Sequence, residues 1–247
     1  MRALVLLLVV LVAGCASAPP EGSPWTDVQA FSTNGAGSGT PRGWKPWIIN
    51  RAKAPTAYRL VTDAQTGQVV LHALAERSAS GLTQRLDVHP PERPVIAWRW
   101  RVIDLIAGAD NQDRYSEDAP ARLMLFFDGD RARLPMKEQM LMETAHLLTG
   151  QELPFATLMY VWENRFAPET LLRNTFTDQV KMIVVGTGRD RIGTWKSFQR
   201  NYVDDYRRAF GSDPGRLVGI GIMTDTDNTG ESIEAYYGDI LLRTAAP

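Results

Sequence analysis

The residues best suited to chemistry stand together in the run Met223-Thr224-Asp225-Thr226-Asp227-Asn228-Thr229-Gly230-Glu231, directly after an apolar stretch. If a strand continues that far, Asp225 and Asp227 project from one face, because side chains alternate along a strand. Hard oxygen donors so close together suit calcium, which takes six to eight of them. The run opens like the D-x-D-x-x-G half of an EF-hand loop. Its fifth position is Thr229, however, and its twelfth is Tyr236 rather than glutamate, which excludes an EF-hand. The candidate metal set is therefore a different structural calcium site formed by Asp225, Asp227 and Glu231 with Asp239. The competing reading is a turn in which the Asp and Asn side chains bond to nearby backbone amides. The same carboxylates also admit a glycosidase: Asp225 and Asp227, or either with Glu231, as acid and nucleophile. A retaining enzyme holds such a pair about 5–5.5 Å apart, although Gly230 breaks any strand before Glu231.

A basic and an aromatic set come next. In Trp98-Arg99-Trp100-Arg101, tryptophans facing a core leave Arg99 and Arg101 on the opposite sheet face. There, with Arg122 from another strand, their forked donors suit an anionic ligand. The alternative is a structural network with Asp118, Asp225 or Asp239. Trp44, Trp47 and Trp195 offer flat faces for a sugar ring, against the alternative that they fill the core. His72, His89 and His146 show no zinc-ligand spacing. The chain has no G-x-S-x-G elbow, no P-loop and no dinucleotide fingerprint.

At the start of the chain, Ala3 to Val12 is an unbroken apolar run after Arg2, and Gly14 leads into Cys15, the one cysteine of the protein. The parts are those of a secretory signal, and a run of about ten residues is too short to cross roughly 30 Å of hydrocarbon as a helix. The segment Leu11-Val12-Ala13-Gly14-Cys15 resembles the cleavage site of bacterial lipoproteins. That resemblance implies a signal peptide over 1–14, acylation of Cys15 and membrane attachment through it. Ala16, in place of an aspartate, implies the periplasmic face of the outer membrane. Loss of Arg2 leaves 26 basic against 28 acidic residues, and so weak a net charge argues against nucleic acid as a partner. With Cys15 acylated no disulfide is available, so a core must hold the exported domain together. Residues 15–41 are rich in Gly, Ser and Pro and read as a flexible tether, interrupted by Trp25, Val28 and Phe31, which are candidates to dock as a first strand. Residues 42–247 read as one domain.

Strand signals fall at 56–61, 69–74, 95–103, 122–127, 158–162, 180–185, 217–223 and 235–242. Two helices are predicted. Over 136–148 the apolar side holds Met140, Leu141, Leu147 and Leu148. Over 198–210 Phe198, Tyr202, Tyr206 and Phe210 recur every fourth residue, and Gly211 provides a stop. Many short strands with two inserted helices favour an antiparallel two-sheet β-sandwich over a doubly wound α/β fold.

Six segments taken in order, "SASGL" at 78–82, "WRWRV" at 98–102, "DAPARL" at 118–123, "LMYVWEN" at 158–164, "RNYVDDYRRAFG" at 200–211 and "GIMTDTDNTGESIEAYYGDI" at 221–240, resemble the bacterial domain-of-unknown-function 3047 family across about residues 43–243. The closing "AYYGDILL" and the opening Gly43-Trp44 are also similar to galactose-binding-like jelly rolls, a resemblance that implies carbohydrate binding and a structural calcium. The expectation is a lipid-anchored envelope protein that binds a glycan or another envelope component without catalysis. The ligand-binding candidates are Arg99, Arg101, Arg122, Trp44 and Trp195. An envelope glycoside hydrolase using Asp225 and Asp227, and a scaffold for a partner protein, are the alternatives.

Overall fold

The computed structural model describes residues 23–245 apart from 38, 150, 151 and 190; the expected signal peptide and Cys15 lie outside the described residues. Strands β1 (Lys45–Trp47), β4 (Ala79–Val88), β6 (Ala119–Phe127), β7 (Ala156–Glu163), β8 (Leu171–Arg173), β9 (Val180–Thr187) and β11 (Leu217–Asp225) form a seven-stranded sheet in the order β1-β4-β11-β6-β7-β9-β8. Strands β2 (Ala57–Thr62), β3 (Val69–Glu76), β5 (Val95–Val102), β10 (Lys196–Asn201) and β12 (Ser232–Tyr237) form the second sheet in the order β10-β5-β12-β3-β2. Strand β13 (Leu241–Arg243) adds to β5 there. Every pairing is antiparallel except β7 with β9. The expected mainly-β, two-sheet sandwich is the architecture found.

Alternation builds the core. On β5 the residues Ile96, Trp98, Trp100 and Val102 point inward, as their spacing predicts, and meet Leu123, Leu125 and Phe127 of β6 and Leu158, Tyr160 and Trp162 of β7. Each of these strands is dense enough in apolar residues that the seven-stranded sheet is greasy on both faces. Its outer face carries a second layer of Met124, Met159, Met182, Met223, Val161 and Val184. A strand covered on both sides reads as a continuous apolar run rather than an alternating one, and β7 is buried along its whole length.

Four expectations need correction. The second helix, α2, spans Tyr202–Phe210, so Phe198 belongs to β10. Asn201 starts the helix by accepting the N–H groups of Val203 and Asp204 at 3.1 and 3.2 Å, the role of an N-cap. Its aromatic face, Tyr202 and Tyr206 with Phe210, packs on the core as predicted. The first helix, α1 (Met136–Thr149), does not bury the predicted side. Met140 is 63% and Leu147 74% exposed, with Leu141 outward too, whereas Glu138 and Met142 face inward; the Leu148 side chain lies outside the described residues. Glu138 fixes that rotation by accepting from the Thr177 hydroxyl at 2.5 Å. The predicted strand over 235–242 is two strands, because Gly238–Ile240 breaks the ladder between β12 and β13. Finally, among the described residues before Arg42, several are part of the folded body. Phe31 is fully buried, Val28 nearly so, and Trp25 bridges to Leu86 as an irregular segment rather than a strand. Among the described residues, no helix is long and apolar enough to cross a membrane.

Candidate functional site

The acidic cluster forms where β11 ends beside the start of β6. Asp225 is 2% exposed. Its Oδ1 accepts the Ala119 N–H at 3.2 Å and its Oδ2 lies 3.2 Å from Arg122 Nη2. Arg122 also donates to the Glu117 carbonyl at 2.8 Å and to Asn111 Oδ1 at 3.4 Å. Asp118 accepts the N–H groups of Asn228 and Thr229, and Asp227 pairs with Lys53 at 3.2 Å. Oxygens of Asp118, Asp225 and Asp227 all lie within 4.8 Å of one another. Burial pushes the Asp225 carboxyl from the ordinary 3.8 up to about 8, and the charges of Asp118 and Asp227 add to this against the opposing pull of Arg122. Burial acts against Arg122 too, but the surrounding carboxylates outweigh it and hold the guanidinium charged.

This is not the predicted metal set. Glu231 is turned away to accept the N–H groups of Ala107 and Gly108 at 3.0 and 2.8 Å. Asp239 is bonded to the Ser32 N–H and hydroxyl at 2.9 and 2.5 Å. Asp118 takes their place, from a segment over a hundred residues away in sequence. The three remaining carboxylates fit a cation poorly. A calcium ion needs six to eight oxygens, whereas these oxygens are already engaged by Arg122, Lys53 and backbone amides. The glycosidase geometry fails for the same reason: Asp225 is enclosed, and its two oxygens face Ala119 and Arg122 rather than open space.

The outer face of the seven-stranded sheet holds a cavity of about 550 Å³ lined by Trp47, Phe126, Phe155, Thr83, Arg85 and Gly219, among others. Its two aromatic rings are seated on glycines. Trp47 pairs with Gly81, whose missing Cβ would lie 3.2 Å from the indole and 2.5 Å from the Ile222 carbonyl. Phe126 lies over Gly219 and Gly221, where a Cβ would come within 3.1 and 3.0 Å of the ring. The two rings meet edge to face at 5.7 Å and 68°, and both stay partly exposed. The charges around the cavity are matched, Asp87 with Arg216 and Glu152 with Arg131.

The remaining candidates separate. Arg99, Arg101 and Trp195 share the outer face of the six-stranded sheet, whereas Arg122 belongs to the other sheet, so the predicted three-arginine face is not assembled. Arg101 is 8% exposed, stacks on Tyr236 at 4.2 Å and on Trp195 at 5.3 Å, and pairs with Asp63 at 2.9 Å. Burial raises Asp63, but hydrogen bonds from Thr66 and Trp195 and the charge of Arg101 outweigh it and hold the carboxyl below its ordinary value. Arg99 stacks on Trp195 at 4.7 Å and donates to Gln68. Trp44 is a core residue, 4% exposed, its indole N–H bonded to the Gln29 carbonyl at 2.9 Å, so it offers no face to a ligand. Trp47 and Trp195 stand on opposite sheets, and the predicted three-tryptophan platform does not form. Phe126, the partner Trp47 does have, was missed because only the pairing of β1, β4, β11 and β6 brings the two rings together.

The architecture is that of a two-sheet β-sandwich with a partly exposed aromatic cleft on one face and a cationic face on the other. The chain belongs to the family described as "Protein of unknown function (DUF3047)", whose model matches residues 42–241. None of the curated proteins compared matches it in sequence. Among solved structures it is similar to a beta-1,2-glucanase from Parabacteroides distasonis, with 12% identity and a TM-score of 0.39, over 91% of this chain and 26% of that one. The chain thus spans about a quarter of that enzyme's length, and a likeness of this degree carries no argument about activity.

Proposed function

We propose that the protein is a non-catalytic glycan-binding module of the bacterial cell envelope, held at the outer membrane by acyl chains on Cys15. The observation that carries this reading is the cavity walled by Trp47 and Phe126, whose rings are seated on glycines, with a charge-balanced polar surround. Flat aromatic faces beside polar groups such as the Thr83 hydroxyl match the alternating apolar and polar surfaces of a sugar ring. The anchor rests on the Leu11–Cys15 motif. The carboxylate cluster has a different task in this reading: Arg122 and Lys53 make it an ionic clamp that holds the 226–231 loop to the start of β6.

Two outcomes are expected. Calorimetric titration of the full chain with a panel of neutral oligosaccharides gives binding that Trp47→Ala weakens by roughly tenfold or more, with the strand content retained by circular dichroism at the titration temperature. Absence of binding across the panel, or binding indifferent to Trp47, overturns the proposal; release of reducing ends from the panel would favour the hydrolase instead. Addition of a chelator leaves the melting temperature unchanged, because protein cations already neutralise the cluster. A chelator-induced drop that Asp227→Asn abolishes would reinstate calcium.

A further inference from the structure

Arg99 and Arg101 sit two residues apart on the same sheet face, yet their surroundings differ. Arg101 is neutralised by Asp63. Arg99 has no carboxylate partner among the described residues; its guanidinium is held by neutral groups, the Trp195 ring at 4.7 Å and the Gln68 side chain. Its aliphatic stem lies against Gly238, where a Cβ would stand 2.6 Å from both Cγ and Nε of Arg99. The result is a positioned cation whose charge the protein leaves uncompensated. It lines a groove of about 400 Å³ that also contains Ser197, Gln199, Asp239 and Arg243. The groove's one acid, Asp239, is bonded to Ser32 and, among the described residues, forms no ion pair with Arg99, so the groove's two arginines exceed its acid by one charge. Arg243 is exposed and likewise has no acidic partner among the described residues.

We propose that this groove is a second binding site, for the carboxylate of an acidic saccharide. A guanidinium presents parallel N–H groups that match a carboxylate, and it does so best when its geometry is fixed beforehand. Arg99 supplies that fork, Arg243 adds charge at the edge, and Ser197 and Gln199 offer a hydroxyl and an amide to the sugar. The inference rests on a glycan as the ligand class but uses residues separate from the Trp47 cleft. That cleft has matched charges and no preference for an anion, whereas this groove carries surplus positive charge.

The test is calorimetric titration of the full chain with oligogalacturonate and with its methyl ester, which keeps the sugar and removes the charge. The acid form is expected to bind about tenfold more tightly than the ester. Arg99→Gln abolishes that preference by weakening binding of the acid form to the level of the ester. Gly238→Ala, which retains the charge but displaces the Arg99 stem, diminishes the preference in the same direction. Equal binding of acid and ester, or a preference that survives Arg99→Gln, overturns the proposal. Neutral binding that depends on Trp47 without any acid preference sinks this inference alone; failure of every saccharide, acidic or neutral, sinks the parent reading as well.

Discussion

Replacing Arg122 by alanine is expected to destabilise the fold by about 3–5 kcal/mol, the range found when one partner of a buried ion pair is removed. The guanidinium stands between Asp225 and the loop that carries Glu117 and Asn111, and its charge also offsets Asp118 and Asp227. Without it the cluster keeps its carboxylates and loses the cation at its centre. The pH dependence distinguishes this from a simple packing loss. Because Asp225 is raised from 3.8 to about 8, the folded state holds that proton more tightly than the unfolded chain. Its contribution to stability is therefore full below about pH 4 and is lost as pH rises through about 8. Asp225→Asn should flatten that part of the curve. Arg122→Ala should cost more at pH 9 than at pH 6, since ionised Asp225 then has no counter-charge. Urea denaturation at the two pH values measures both; a penalty for Arg122→Ala below about 1 kcal/mol would show that the clamp is dispensable.

A second large effect is expected at Asp205, on the first turn of α2. This nearly buried carboxylate accepts the Tyr160 hydroxyl at 2.8 Å and both Nε and Nη2 of Arg200, at 2.8 and 2.7 Å. Tyr160 is fully enclosed on β7, and Arg200 continues to Glu169, so one side chain ties the helix to both sheets. Asp205→Ala leaves a buried phenol without its acceptor and removes a charge-assisted pair. A loss of about 3 kcal/mol follows from those two terms. Asp205→Asn, which can still accept from Tyr160, should lose less. Exchange of α2 amides with deuterium, followed alongside denaturation, should show that helix loosening first in the alanine variant; equal protection in α2 and in β7 would contradict the anchoring role.

How far these features were legible varied with how local their causes are. The inward face of β5 follows from four large apolar residues at a spacing of two, and the sandwich follows from many such short runs. Strand β4 went unread because its outer residues Thr83, Arg85 and Asp87 dilute its apolar content, and its partners β1 and β11 are distant in sequence. Phe198 was drawn into the second helix by a coincidental spacing of four, although Asn201 carried the local signal for where that helix begins. The outward side of α1 reversed because a polar anchor, Glu138, outweighed a scatter of methionines and leucines. At the acidic cluster, Asp225 and Asp227 stood out as neighbours, and a structural network of Arg122 with Asp118 and Asp225 stood as the alternative to an anion site; that alternative is the one formed, through the pairing of β6 with β11. The Trp47 cleft was the least legible part, since the absence of side chains at Gly81, Gly219 and Gly221 matters only once the strands lie side by side.

The docked segment from Trp25 onward sets a limit on reach. An extended chain covers at most about 3.3–3.6 Å per residue. Counted from Cys15 to Arg42, a free connection could hold the sandwich as far as roughly 90 Å from a lipid attachment point. With Trp25 bonded to Arg85 and Asp87, and Ser32 fastened to Asp239, only the ten steps from Cys15 to Trp25 remain, or about 35 Å. Under the proposed acylation of Cys15, so short a reach would confine the sandwich to the layer next to the bilayer, and its ligands would have to come to that layer to be met.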